Sequence, residues 1–292
     1  MKLAGRTAFV TGGGRGIGEA IARALAAEGA RVFVMSRTAA ELERVVAAIR
    51  GEGGEADFAE ADVADAAQAT RAVRRCDVSL GPPAVLVNAA GVYGPIGPFR
   101  EVDAAAWKRA LDVNVMGTVH CCQAVLPVMI ANGNGRIINL SGGGATSPLP
   151  RFTAYAASKA AVVRFSETLA EEVREHGVTV NAIAPGAVDT RLQDEVMLAG
   201  ARSGDLFDRI RRLRETGEGG VPAALPAALA VFLASDAAAS LTGKLISAPH
   251  DGWQDWDAAR IADLAASDWL TLRRLDAHTL APLATQLREV IA

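Results

Sequence analysis

Short aliphatic runs alternate with longer alanine-rich segments along this chain, and that alternation restricts the fold more than any other feature. Strand-length runs rich in β-branched residues fall at 7–10, 31–35, 55–61, 85–88, 136–140, 178–183 and 244–247. Between them, 18–28, 38–50, 65–75, 104–130 and 154–175 carry helical periodicity. Parallel strands need crossovers, and right-handed helical crossovers cover both faces of the sheet. The expected class is therefore α/β, a doubly wound parallel β-sheet flanked by helices. Thr38 with Glu41, and Asp65 with Gln68, offer capping boxes at two helix starts.

Composition narrows the function. Of 292 residues, 50% are hydrophobic and 22% charged, enough for a large core and unlike a disordered chain. A net charge of −3 gives no basic footprint, which argues against a nucleic-acid partner. Cys76, Cys121 and Cys122 form no disulfide framework and read as free thiols in a reducing compartment. His120, His176, His250 and His278 lack metal-ligand spacing, so no metal is expected. The N-terminus reads as a strand feeding a glycine turn, unlike an export signal. No apolar stretch is expected to reach membrane-spanning length without charges. These readings point to a soluble cytoplasmic protein with no membrane association.

Two regions break the alternation. Residues 191–220 are polar, glycine-punctuated and partly helical, and they follow the sixth strand, where a ligand lid belongs in an open α/β sheet. Residues 252–292 hold Trp253, Trp256 and Trp269, three of the four tryptophans, with helical patterning at 257–264, 268–275 and 283–291. This extension is too apolar for a loose terminus. It is expected to pack on the core, leaving 1–292 as one domain.

Gly12, Gly16 and Gly18 lie between the first strand and first helix, in Thr11-Gly-Gly-Gly-Arg-Gly-Ile-Gly18. Such glycines permit a tight turn and close approach of backbone N–H groups to a pyrophosphate at a helix N-terminus. The spacing departs from the strict G-x-G-x-x-G fingerprint, and a plain glycine-rich turn remains the alternative. An NAD site commonly has a carboxylate at the end of the second strand; here Ser36 and Arg37 stand there, with Arg15 in the turn. Two guanidiniums suit a 2′-phosphate, so the reading taken is NADP(H) in preference to NAD(H). Arg37 as a solvated residue before Thr38 is the alternative. Further on, Tyr155 and Lys159 share a helix face at four-residue spacing. An ammonium beside a phenol favours the phenolate and makes a usable general acid/base.

With these residues in order, residues 3–251 resemble the short-chain dehydrogenase/reductase family, of the type built as a single Rossmann domain. Thr11 to Gly18, Ile17 included, resembles the family's cofactor turn. Asp62 and Val63 match the pair beside adenine, and Asn88, Ala89 and Gly91 the motif closing strand four. Asn114 matches a helix asparagine that holds a water in a proton relay. Pro185, Gly186, Val188 and Thr190 fall in the segment lying against the nicotinamide. The resemblance implies that Tyr155 exchanges a proton with the substrate oxygen while hydride passes to or from the nicotinamide. It implies that Lys159 lowers the Tyr155 pKa and binds the ribose hydroxyls, and that the protein is a homo-oligomer, a tetramer or a dimer.

Two places depart from the family pattern. The serine usually found thirteen residues before the tyrosine is Gly142 here, and Ser141 stands one place early. On an extended strand end Ser141 would face the opposite way. Rotation of Ser141 inward, a backbone N–H, or a donor on the substrate could fill the role, and loss of the role is the fourth possibility. The last strand leads into Ser247-Ala-Pro-His-Asp-Gly-Trp253 and the atypical extension. Arg151, Arg191, Arg209, Arg211, Arg212 and Arg214 could hold an anionic substrate or form a solvated face, and the tryptophans could roof a pocket or fill a core. The function taken is an NADP(H)-dependent ketoreductase or alcohol dehydrogenase acting on a small-molecule carbonyl or alcohol. A redox-neutral enzyme on the same Tyr–Lys site, or a non-catalytic NADPH-binding protein, stands as the alternative.

Overall fold

The computed structural model describes residues 1–274. Its seven strands are β1 Thr7–Thr11, β2 Arg31–Ser36, β3 Ala56–Glu60, β4 Pro83–Asn88, β5 Gly135–Leu140, β6 Val178–Ala184 and β7 Leu245–Ser247. All pair in parallel, in the order β3-β2-β1-β4-β5-β6-β7. Every residue of β1 and β5 is buried, which is why their centres, Ala8-Phe9-Val10 and Ile137-Ile138, are apolar on both faces and do not alternate. Strand order reverses between β1 and β4, and in an open sheet that switch point opens a crevice at the carboxyl ends of the strands.

The helices are α1 Gly16–Ala27, α2 Ala39–Gly51, α3 Ala66–Leu80, α4 Ala104–Leu111, α5 Gly117–Ala131 and α6 Thr153–Val173, followed by α7 Arg191–Ala199, α8 Asp205–Thr216, α9 Ala224–Ala234 and α10 Ala258–Ala266. Ile21 and Leu25 of α1, Val45 and Ile49 of α2 and Leu229 of α9 fill the core on one face of the sheet. Val73 and Cys76 of α3, Cys121 and Val125 of α5 and Leu169 of α6 fill the other. Burial pushes the Cys76 and Cys121 thiols up to about 12, so both are inert at neutral pH.

Asp65 caps α3 as expected, accepting from the N–H groups of Ala67 and Gln68, but Gln68 Oε1 accepts from the N–H of Asp62 and closes the box one turn early. Thr38 makes no side-chain cap; its N–H instead reaches Ser36 Oγ at 3.4 Å. The helix expected at 104–130 is interrupted by a π-helical turn at Asp112–Met116. The expectation about apolar stretches also needs correction. Ala104–Ala131 is long and apolar enough, by length and composition, to cross a membrane. The charges lie at its start, and 113–131 carries none. In the fold this segment packs against α3 and β4 as a core helix, with Cys121, Cys122 and Val125 buried.

The segment expected to form a lid holds two helices, α7 and α8. Val196, Ile210 and Leu213 pack inward on Tyr93, Phe152 and Tyr155. On α8, Arg211 pairs with Asp208, and Arg214 with Asp189 and Asp194. In the extension, Trp253 is buried and donates its Nε1–H to Ala248 O at 3.0 Å, while Trp253 and Trp256 both pack on Phe232. Ile261 and Leu264 of α10 join the core. No helix forms over the described part of 268–275, because Leu270, at φ +60°, turns the chain along the sheet edge. There its carbonyl accepts from the N–H of Leu245 in β7 at 2.7 Å. The helix expected at 283–291, and His278, lie outside the described residues.

Candidate active site

The crevice begins at the glycine turn. Thr11 Oγ1 accepts from the N–H groups of Ala89 and Ala90, at 3.1 and 3.2 Å, and so ties the end of β1 to the end of β4. Gly12 has φ +65°, and a Cβ there would lie 2.8 Å from Ala90 N; one on Gly18 would lie 2.2 Å from Gly12 O. Only glycine allows α1 to start this close to the strand. Arg15, at the N-cap of α1, makes no side-chain capping bond, which leaves the helix's first N–H groups uncapped by that residue. A pyrophosphate fits such a helix end, and the cradle is of dinucleotide-binding shape.

Gly12, Arg15, Gly16, Ile17, Gly18, Ser36, Arg37, Asp62, Val63, Ala89, Gly91, Pro185 and Thr190 line one continuous groove, which ends at Ser141, Tyr155 and Lys159. Burial works to raise the Asp62 pKa, but the Ala64 N–H and the Arg109 guanidinium outweigh it and hold the carboxyl below its ordinary value. Four expected residues stand behind the groove wall and do not line it. Asn88 is buried in the sheet, since the β4–β5 register sets it beside Asn139, and its Nδ2 donates to Asn139 Oδ1 at 2.9 Å. Gly186, at φ +82°, turns the chain under Val221 and Pro249, and Val188 is buried. Asn114 exchanges two 2.9 Å bonds with the backbone of Val92 and donates to Ser158 Oγ at 2.8 Å. One of its amide hydrogens holds the loop after β4 and the other goes to α6, so both are spent. Sequence reading missed Glu41, Glu195 and Tyr93. Burial raises the Glu195 pKa, while Arg15 and the Tyr93 N–H pull it back. The inward stripe of Leu192, Glu195 and Val196 at helical spacing was the available signal for α7.

At the far end, α6 brings Tyr155 and Lys159 to the groove on one face. Lys159 Nζ donates to Leu140 O at 2.7 Å and sits 5.7 Å from the Tyr155 ring centroid. Tyr93 packs edge-on to Tyr155 at 4.7 Å and donates its hydroxyl to Gln193 Oε1 of the lid. The electrostatics differ from the expected phenolate. Burial, aided by Tyr93, pushes the Tyr155 phenol up, and burial brings Lys159 down to about 8. Desolvation therefore outweighs the ammonium in this arrangement, and at neutral pH the phenol holds its proton.

Ser141 lies just beyond the last residue of β5, so strand alternation no longer sets its direction, and it lines the groove instead of facing away. Its Oγ is buried without a hydrogen-bond partner among the described residues. At Gly142 a Cβ would come within 2.2 Å of Tyr155 Oη, so the position has no room for a side chain while the tyrosine stands where it does.

Comparison with known proteins agrees with this geometry. Residues 6–199 match the short chain dehydrogenase family. The chain is 39% identical over 243 residues to a D-threitol dehydrogenase of Mycolicibacterium smegmatis, covering 83% of this chain and 91% of that one. It superposes on an actinorhodin polyketide ketoreductase with NADPH at a TM-score of 0.77 and 32% identity, covering 83% and 95% of the two chains. It superposes on NAD⁺-bound xylitol dehydrogenase at 0.79 and 26%, covering 85% and 98%. The seven-stranded parallel sheet, the glycine-turn groove and these relatives together establish that the chain belongs to the short-chain dehydrogenase family and is an oxidoreductase of the dehydrogenase/reductase type.

Proposed function

We propose that the protein is an NADP(H)-dependent ketoreductase or alcohol dehydrogenase that uses Tyr155 as general acid/base on a carbonyl or secondary alcohol. The observation that carries this is the placement of Tyr155 and Lys159 on one face of α6, opening onto the groove built by Gly12, Gly16 and Gly18. A bound nicotinamide dinucleotide supplies the hydride chemistry. Arg15, Arg37 and Arg191 line the end of the groove next to Ser36, and their charge favours a 2′-phosphate. Ile17, Asp62, Val63, Ala89, Gly91, Pro185 and Thr190 would hold the remainder of the dinucleotide, with Asn88, Gly186 and Val188 shaping the wall from behind.

Tyr155 holds its proton at neutral pH, which suits donation to a carbonyl oxygen and hence reduction. Ser141, with a buried unpartnered hydroxyl in the groove, is the donor we assign to the substrate oxygen in place of a side chain at 142. Asn114 fixes the loop that carries Val92 and Tyr93. The relative named for D-threitol makes short polyols and their keto forms the first substrates to assay. We place the protein in the cytoplasm as a homo-oligomer, a tetramer or dimer packed through α5 and α6, with the extension as part of one domain; light scattering measures the assembly.

The direct test follows NADPH consumption at 340 nm with a panel of polyol-derived ketones, together with fluorescence titration of both reduced dinucleotides. Net oxidation with NADPH bound at least tenfold tighter than NADH is the expected result. Binding without net turnover would favour the redox-neutral or non-catalytic reading, and equal affinities would remove the NADP(H) preference.

A further inference from the structure

Glu41 brings a carboxylate to the groove from an element that the end of β2 does not include. It is the third residue of α2, with its side chain 23% exposed. Its Oε1 accepts from two guanidiniums at once, Arg15 Nη1 at 3.3 Å from the glycine turn and Arg191 Nη1 at 3.0 Å from the head of the lid. Its Oε2 turns toward the glycine turn, 3.5 Å from the place a Cβ on Gly14 would take, and Ser36 Oγ lies 3.1 Å from that same place. A carboxylate, a hydroxyl and two guanidiniums thus converge at one end of the groove, with Arg37 also on its lining.

These groups answer the two dinucleotides oppositely. A carboxylate accepts from a free ribose 2′-hydroxyl and repels a 2′-phosphate, and guanidiniums do the reverse. The end of β2 carries Ser36 and Arg37, which alone would leave an unphosphorylated ribose without an anionic acceptor; α2 supplies one. Both arginines are more than half exposed, so each ion pair with Glu41 is individually weak and easily exchanged for a phosphate.

Resting on the dinucleotide reading of the groove, we infer that Glu41 is a cofactor-specificity residue. Its carboxylate receives the 2′-hydroxyl of NAD(H) and competes with the 2′-phosphate of NADP(H) for Arg15 and Arg191. The site accepts both cofactors, with a narrower preference than its arginines alone would set.

The test is fluorescence titration of NADPH and NADH with the intact protein, with Glu41→Gln and with Arg191→Met, after thermal melts confirm that each variant is folded. Glu41→Gln should tighten NADPH and weaken NADH, widening the ratio of dissociation constants at least tenfold. Arg191→Met should weaken NADPH more than NADH, narrowing the same ratio. A ratio unaltered by Glu41→Gln overturns the inference, whichever cofactor the unmodified protein prefers. An unmodified protein that prefers NADH, yet swings toward NADPH on Glu41→Gln, upholds the role of Glu41 while removing the NADP(H) preference. Absence of binding of either dinucleotide overturns both.

Discussion

Gly142 and Tyr155 compete for one volume: a Cβ on the glycine would sit 2.2 Å from the phenolic oxygen. The backbone at 142 is not left-handed, in contrast with Gly144 at φ +90°, so the demand for glycine there is a matter of contact and not of φ. Gly142→Ser should therefore displace Tyr155 instead of restoring a donor. The expected result is a tenfold or greater loss of kcat/KM and about 1–3 kcal/mol of lost stability from overpacking. Higher turnover on simple ketones would refute it.

Ser141→Ala removes the buried hydroxyl without creating an unpaired partner, because Ser141 Oγ has none among the described residues. Stability should change by less than about 1 kcal/mol, while kcat should fall by about 10²-fold if the hydroxyl meets the reacting oxygen. Unaltered kinetics would leave the substrate oxygen elsewhere.

Tyr155→Phe keeps the ring that packs on Tyr93 and removes the proton carrier. Turnover should fall by about 10²–10⁴ with dinucleotide affinity retained. Near-normal activity in this variant would place the acid/base chemistry on another group.

Lys159 gives a pH signature in the ligand-free protein. Burial brings it from 10.5 down to about 8 in the folded state. Between those values the unfolded chain binds the extra proton, so stability rises with pH through that window, and the burial penalty is fully present below about 8. Lys159→Met abolishes this component. The gain in melting temperature between pH 7 and pH 9.5 should be smaller in the variant than in the unmodified protein; equal gains would mean that the ammonium is not desolvated.

Removing residues from Gln254 onward would uncover Trp253 and Phe232, take Ile261 and Leu264 from the core, and free the N–H of Leu245 at the edge of β7. A drop of several degrees in melting temperature is expected, with aggregation seen by light scattering. An unchanged melt would make the extension dispensable.

The strands were legible because parallel strands covered on both faces are apolar at their centres, and Tyr155 with Lys159 because four-residue spacing is a property of any helix. What escaped depends on partners distant in sequence. The orientation of Asn88 follows from its register with Asn139, and the bond from Arg191 to Glu41 spans 150 positions. Alternation alone does not orient Ser141, because that residue lies one position past the end of β5. The apolar run through 113–131 was legible but overlooked, and only its packing shows it to be a core helix.

The π-helical turn at Asp112–Met116 sets Asn114 against Val92 and Ser158, while the α5 helix that follows sets Cys121 and Cys122 into the sheet. Excising one residue from the turn would regularise the helix, yet each α-helical residue carries about 100° of rotation. One of the two faces would then be aimed wrongly. Better local geometry and correct aim are thus mutually exclusive here, so the extra residue is fixed in length even where its side chain is free to vary.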